Sequence, residues 1–159
     1  MAVLNMLVQR PPDQVWDVLS DGSSYAEWVM GTRDVHEVDP GWPGLGATIR
    51  FSFGAGPWTM DDITTVRLVE PRQRLELEAH AGRLGTARIS IVLLPWGEDQ
   101  TVVILDEHPL RGPGARWHSM AVEGLLRFRN ERMLRSLAKL VERRHPRTAS
   151  PPPGPVSGR

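Results

Sequence analysis

Asp106, Glu107 and His108 stand together at the end of an otherwise apolar run, TVVILDEH, and by type they are the residues here best suited to acid/base chemistry. Such chemistry needs an imidazole and a carboxylate sharing a water-poor pocket. Residues two apart on a strand share a face, so Asp106 can orient the imidazole and His108 can exchange a substrate proton. Asp61 and Asp62 open another strand-like run, and Arg50 and Arg88 lie within two more. Ordinary salt bridges on the rim or outer face account for these residues too. Other chemistries lack their residues. Without cysteine there is no thiolate nucleophile, disulfide or Cys-based metal site. The five His are far apart with no His-x-x-x-His pair, so no metal site is expected. No Gly-x-Ser-x-Gly elbow occurs, and GAGP and GLG lack the spacing of a phosphate-cradling loop.

The elements that must position these residues are mostly strands. A first strand ends at Pro11-Pro12, and two short helices follow, DQVWDVLSD and the segment with Tyr25, Trp28 and Val29. TRDVHEV, ATIRFSF, DDITTVRLVE, RLELEAH, TARISIVLL and TVVILDEH then read as six strands joined by short Gly- and Pro-rich turns, an antiparallel meander. From about Ala115 to Arg144 the apolar spacing is that of one long helix, with Val122, Leu126, Met133, Leu137 and Leu140 as its sheet-facing stripe.

The last hairpin decides which way the acid/base residues face. With PWGEDQ as a short loop and Leu93 paired with Val102, Ile91 meets Ile104, Ile89 meets Asp106 and Ala87 meets His108 on the concave side, while Arg88 meets Glu107 outside. A one-residue slip turns Glu107 inward and His108 outward.

At 159 residues the chain has the length of one domain. Its 19 basic and 19 acidic residues cancel, which gives no reason to expect nucleic acid as a partner. Residues 1–110 hold 8 basic and 16 acidic groups (net −8) and residues 111–147 hold 10 and 3 (net +7), so a basic helix should pack on an acidic body. The opening MAVLNMLVQRPP has no basic n-region or cleavage pattern, and no stretch reaches about 18 apolar residues, so a soluble, cytoplasmic protein is expected. PRTASPPPGPVSGR has almost nothing to bury, so residues 146–159 are expected to be a disordered Pro-rich tail behind a domain of residues 1–145.

RPPDQVWDVLSD followed by SYAEWV resembles the opening of the START-like (SRPBCC) superfamily, in particular its polyketide cyclase/dehydrase and lipid transport branch. WPGLGATI, LVEPRQRLELEA and LDEHPLRGPGARWH are similar to later segments of it. The resemblance spans roughly residues 1–144 and implies an α+β helix-grip fold of the START and Bet v 1 type. In that fold a curved antiparallel seven-stranded sheet grips a long C-terminal helix, with two short helices after the first strand. It also implies an apolar cavity for lipids, sterols, polyketides or other flat hydrophobic molecules, used without a metal or organic cofactor. The family has no invariant catalytic motif, so no catalytic residue carries over. By the family's layout Trp28 and Trp58 border the cavity, and Trp117 with His118 can close its mouth; with Ile89, Ile91 and Ile104 these are the expected ligand contacts. Tyr25, the only Tyr, falls in a short helix rather than along the barrel, which speaks against a phenol-based cyclase.

Three functions fit this reading. The leading one is a cyclase or dehydratase that folds a poly-β-keto chain so that a carbanion and a carbonyl meet. A non-catalytic carrier or sensor would use the same cavity. A peripheral membrane or protein interaction module would instead use the basic C-terminal helix. The sequence leaves turnover, ligand identity and oligomeric state open.

Overall fold

Leu75 and Leu77 are fully buried while Glu78 and His80 face away from them, as the alternation in RLELEAH requires. The computed structural model describes residues 2–55, 57–80, 85–111 and 120–147, so all of the expected tail (residues 146–159) but Pro146 and Arg147, and the contacts expected of Trp117 and His118, lie outside it. In chain order the elements are β1 (Ala2–Val8), α1 (Pro12–Leu19), a 3-10 turn (Gly22–Ser24), α2 (Tyr25–Trp28), β2 (Thr32–Val38), β3 (Thr48–Ala55), β4 (Trp58–Glu70), β5 (Arg74–His80), β6 (Thr86–Trp96), β7 (Gln100–Arg111) and α3 (Met120–Arg144). The seven strands form one antiparallel sheet in the order β1-β7-β6-β5-β4-β3-β2. This is the helix-grip architecture. Register shifts interrupt the β2–β3 and β4–β5 pairs, the kind of irregularity that bends and twists a strand.

The core is the concave face of that sheet. Ile49, Phe51, Val66, Ile91, Leu93, Val103 and Leu105 meet Met133, Leu134, Leu137, Leu140 and Val141 of α3, all buried. α1 begins with Pro12 at its first position, carries Asp13 in its first turn, and buries Val15, Val18 and Leu19. Phe128, off the buried stripe of α3, is half exposed.

Charge orients the far end of α3, as the asymmetry of the sequence leads one to expect. Arg143 pairs with Glu27 at 2.6 Å, and Arg144 reaches Asp21 at 2.7 Å and Glu27 at 3.1 Å. Burial pushes the Asp21 carboxyl up, but hydrogen bonds from Ser23 and Arg144 and the charge of Arg144 outweigh it and leave the pKa below its usual value. Exposed pairs of this kind contribute little each. Arg10 does more: it is buried, and its guanidinium donates to the carbonyls of Gln9, Glu142 and His145, capping the C-terminus of α3 from the end of β1.

The β6–β7 register corrects the sequence expectation by one residue. Trp96 pairs with Gln100 around the three-residue turn Gly97–Asp99, with Gly97 at a left-handed φ of 64°. Leu93 therefore meets Val103, Ile91 meets Leu105, and Ile89 meets Glu107, while Arg88 meets His108 and Ser90 meets Asp106. Glu107 turns inward, and Asp106 and His108 turn to the convex face with Ile104. Either parity of Val102-Val103-Ile104-Leu105 offers two aliphatic residues to the core, so the apolar pattern alone does not choose between registers. The odd turn length does.

Candidate ligand-binding cavity

Between the concave face, the α2–β2 corner and α3 the packing leaves a cavity of about 310 Å3. That is at the lower end of the size range for small-molecule sites. Val29, Met30, Phe51, Phe53, Ile89 and Leu126 supply apolar wall, and Arg111 stands at one side of the lining. The polar groups in the wall besides Arg111 are few: Tyr25, Thr32, Asp62, Thr86, Glu107 and Arg129.

Each is brought in by parity or helical spacing. Asp62, Thr64 and Val66 alternate along β4 and are all buried, so Asp62 faces the cavity. Its Oδ1 accepts the backbone N–H of Ile63 at 2.7 Å. Burial pushes its pKa up to about 6, against smaller lowering effects from that hydrogen bond and from His80. Glu107 is only 5% exposed, and Arg129 Nη1 donates to its Oε1 at 2.7 Å. Among the described residues its Oε2 has no hydrogen-bond partner, nor have the hydroxyls of Thr32 and Thr86. Arg129 stands one turn before Met133 on the buried stripe of α3, which aims it at the sheet.

Tyr25 corrects a second expectation. The short helix that carries it packs under the sheet, so the fully buried ring joins the cavity wall, 5.5 Å edge-on from Trp28 and 5.1 Å from Phe51 between ring centroids. Its hydroxyl is 2.9 Å from Thr64 Oγ1. Burial raises its pKa to about 12, so at neutral pH the phenol keeps its proton. Arg129, Asp62 and Glu107 all lie within electrostatic reach of it.

The residues expected from sequence are distributed differently. Ile89 lines the cavity. Trp28 and Ile91 lie together in the tight seam with Leu105, Met133 and Leu137, which holds no space for a guest, and Trp28 backs the cavity through Tyr25. Ile104 is on the convex face opposite Val92 and Asn5. His108 Nε2 and Asp106 Oδ2 do meet at 2.9 Å, but on that same convex face, because the register carries both away from the cavity. Trp58 is 81% exposed, beyond the cavity wall on the β3–β4 hairpin. The sequence reading passed over Arg129 and gave Asp62 no role in the cavity. The available signals were a carboxylate on the buried parity of β4 and an arginine on the apolar stripe of α3.

Among the described residues no helix is long and apolar enough to cross a membrane. Comparison with curated proteins returns no match. Among solved structures, this chain is similar to protein MLL2253 from Mesorhizobium loti, with TM-score 0.66 and 20% identity over 89% of this chain and 96% of that one. It is also similar to the Zhui aromatase/cyclase from Streptomyces sp. R1128, with TM-score 0.68 and 16% identity over 90% and 93% of the two chains. Truncated norcoclaurine synthase from Thalictrum flavum matches with TM-score 0.65 and 20% identity over 87% and 91%. At these identities the likeness is one of fold. The family model described as polyketide cyclase/dehydrase and lipid transport matches residues 4–142, nearly the whole of the helix-grip domain, and the chain belongs to that family.

Proposed function

We propose that the chain binds a hydrophobic small molecule carrying hydroxyl or enol groups, of polyketide type, and that Asp62 moves a proton in a cyclase- or dehydratase-like reaction on it. What supports this most is the make-up of the cavity, an apolar space of about 310 Å3 whose lining holds a carboxylate oxygen and two hydroxyls without a partner among the described residues. A guest without donors leaves such groups unpaired, at about 1–3 kcal/mol each.

In the cyclisation, the Asp62 carboxylate takes a proton from a methylene flanked by two carbonyls, and the electron pair of the C–H bond becomes an enolate. The enolate charge faces the Arg129 guanidinium. Its carbon attacks a second carbonyl of the folded chain, a C–C bond forms, and the new alkoxide takes the proton back from Asp62. A carboxyl ionising near pH 6 suits this cycle, because both of its forms are populated near neutrality. Tyr25, protonated and held by Thr64, supplies a fixed dipole beside the reacting carbons.

The test is a calorimetric titration of 1,3-dihydroxynaphthalene and of its dimethyl ether, which has the same rings without donors. The diol should bind one to one and the ether at least about tenfold more weakly, the equivalent of one unsatisfied acceptor. Equal affinities, or no binding of either, would overturn the reading.

A further inference from the structure

The inner face of β4 does not stop at the cavity. Asp62, Met60 and Trp58 alternate along the strand and so share the face that lines it. The β3–β4 pairing runs without a shift from Thr48↔Thr65 to Ala55↔Trp58, which sets Met60 opposite Phe53, itself part of the cavity wall. From Asp62 to Trp58 this face extends about 13 Å. Along it exposure rises steeply: Asp62 is 8% exposed, Met60 46% and Trp58 81%. Met30 of the α2–β2 corner, 40% exposed, continues the cavity wall at the mouth. The two strands pair closely. Gly54 N–H donates to Gly31 O at 3.0 Å, and a Cβ on Gly54 would stand 2.0 Å from the carbonyl oxygen of Trp58, so only glycine permits this close pairing.

We propose that Phe53, Met60 and Trp58 form an outer subsite continuous with the cavity, and that the natural ligand is an elongated amphiphile whose hydroxylated end sits at Asp62 and Glu107 while an apolar chain lies along the hairpin. The proposal rests on the ligand-binding reading above. Its occupant is the ligand's own tail rather than a bilayer, because the strip continues the cavity wall without a break, from Asp62 through Met60, opposite Phe53, to Trp58.

The experiment titrates 5-alkylresorcinols of increasing chain length, below their micelle concentrations, onto the full chain and onto a Trp58→Ala/Met60→Ala variant. Both positions are exposed enough for the variant to fold. For the natural chain each added methylene should tighten binding about two- to fourfold until the strip is covered. In the variant the short homologues should bind as before, and the gain with length should be largely lost. Equal length dependence in the two proteins would overturn the outer subsite and leave the cavity intact. Failure of the shortest homologue to bind the natural chain would overturn the cavity reading itself. Sedimentation of the natural chain, but not the variant, with phosphatidylcholine vesicles would assign the strip to a membrane and overturn the proposal.

Discussion

Asp62→Asn should make the protein more stable at pH 7 and, if the chain acts as the proposed cyclase or dehydratase, slow its turnover sharply. The carboxyl ionises at its model value of 3.8 in the unfolded chain and near 6 in the fold. Between those values the native state keeps a proton that the unfolded state releases, so stability declines as pH rises from about 4 to about 6 and stays at the lower level above. Asparagine carries no charge to desolvate, and its oxygen can still accept the Ile63 N–H. The expected gain at pH 7 is about 1–2 kcal/mol, less than the full shift would give because the cavity admits water. Below pH 4 the two proteins should be equally stable. Thermal melts across this range read the effect directly. On a cyclisable substrate the same change should lower kcat by about 10²–10⁴ with little change in affinity, and the acid limb of the natural chain's pH profile should fall near 6. Unchanged turnover in the variant would show that Asp62 is not the base, and no turnover by the natural chain would leave the carrier function as the better account of the cavity.

Arg129→Met should give the largest loss of stability. Glu107 is nearly fully buried, opposite Ile89, and Arg129 is the partner that faces it. Methionine fills a similar volume but leaves the carboxylate without a counter-charge. Breaking such a pair costs about 3–5 kcal/mol when both groups are dry. Arg129 keeps 30% of its side chain exposed, so about 2–3 kcal/mol is expected in urea denaturation. The companion Glu107→Gln should cost less, and the double variant should recover part of the Arg129→Met loss, since the buried charge is then gone. Additive losses in that cycle would show that the pair is not coupled.

These two groups mark the boundary between what the chain declares in sequence and what only packing decides. The meander and the long helix are legible because each strand alternates and each turn carries Gly or Pro, and because Met133, Leu137 and Leu140 recur at helical spacing. The facing of β7 is not legible. Its aliphatic residues satisfy the core in either register, and the deciding term is the odd turn that Gly97 closes in a left-handed conformation. That single residue of slip exchanges His108 for Glu107 in the cavity, a carboxylate whose burial is tolerable only because Arg129 arrives from a helix 22 positions later in the chain. Trp58 has the opposite history. The strand expected from sequence opens at Asp61 and Trp58 is placed at the cavity only by the family's layout; β4 starts three residues earlier and puts Trp58 on the cavity-facing parity, but exposed beyond the wall.

The central claim is that the space between sheet and α3 is a ligand site, and a calorimetric titration against a filled cavity tests it most directly. Ala87 lies in the wall, paired with Pro109, and Ala87→Trp places an indole into the void with little else to displace. Ile89→Phe, a smaller intrusion, serves if the first variant folds poorly. The natural chain should bind 1,3-dihydroxynaphthalene saturably, one to one, and the filled variant should lose at least about a hundredfold in affinity while melting as a single cooperative unit. Equal binding by a well-folded filled variant would place the ligand elsewhere and contradict the account.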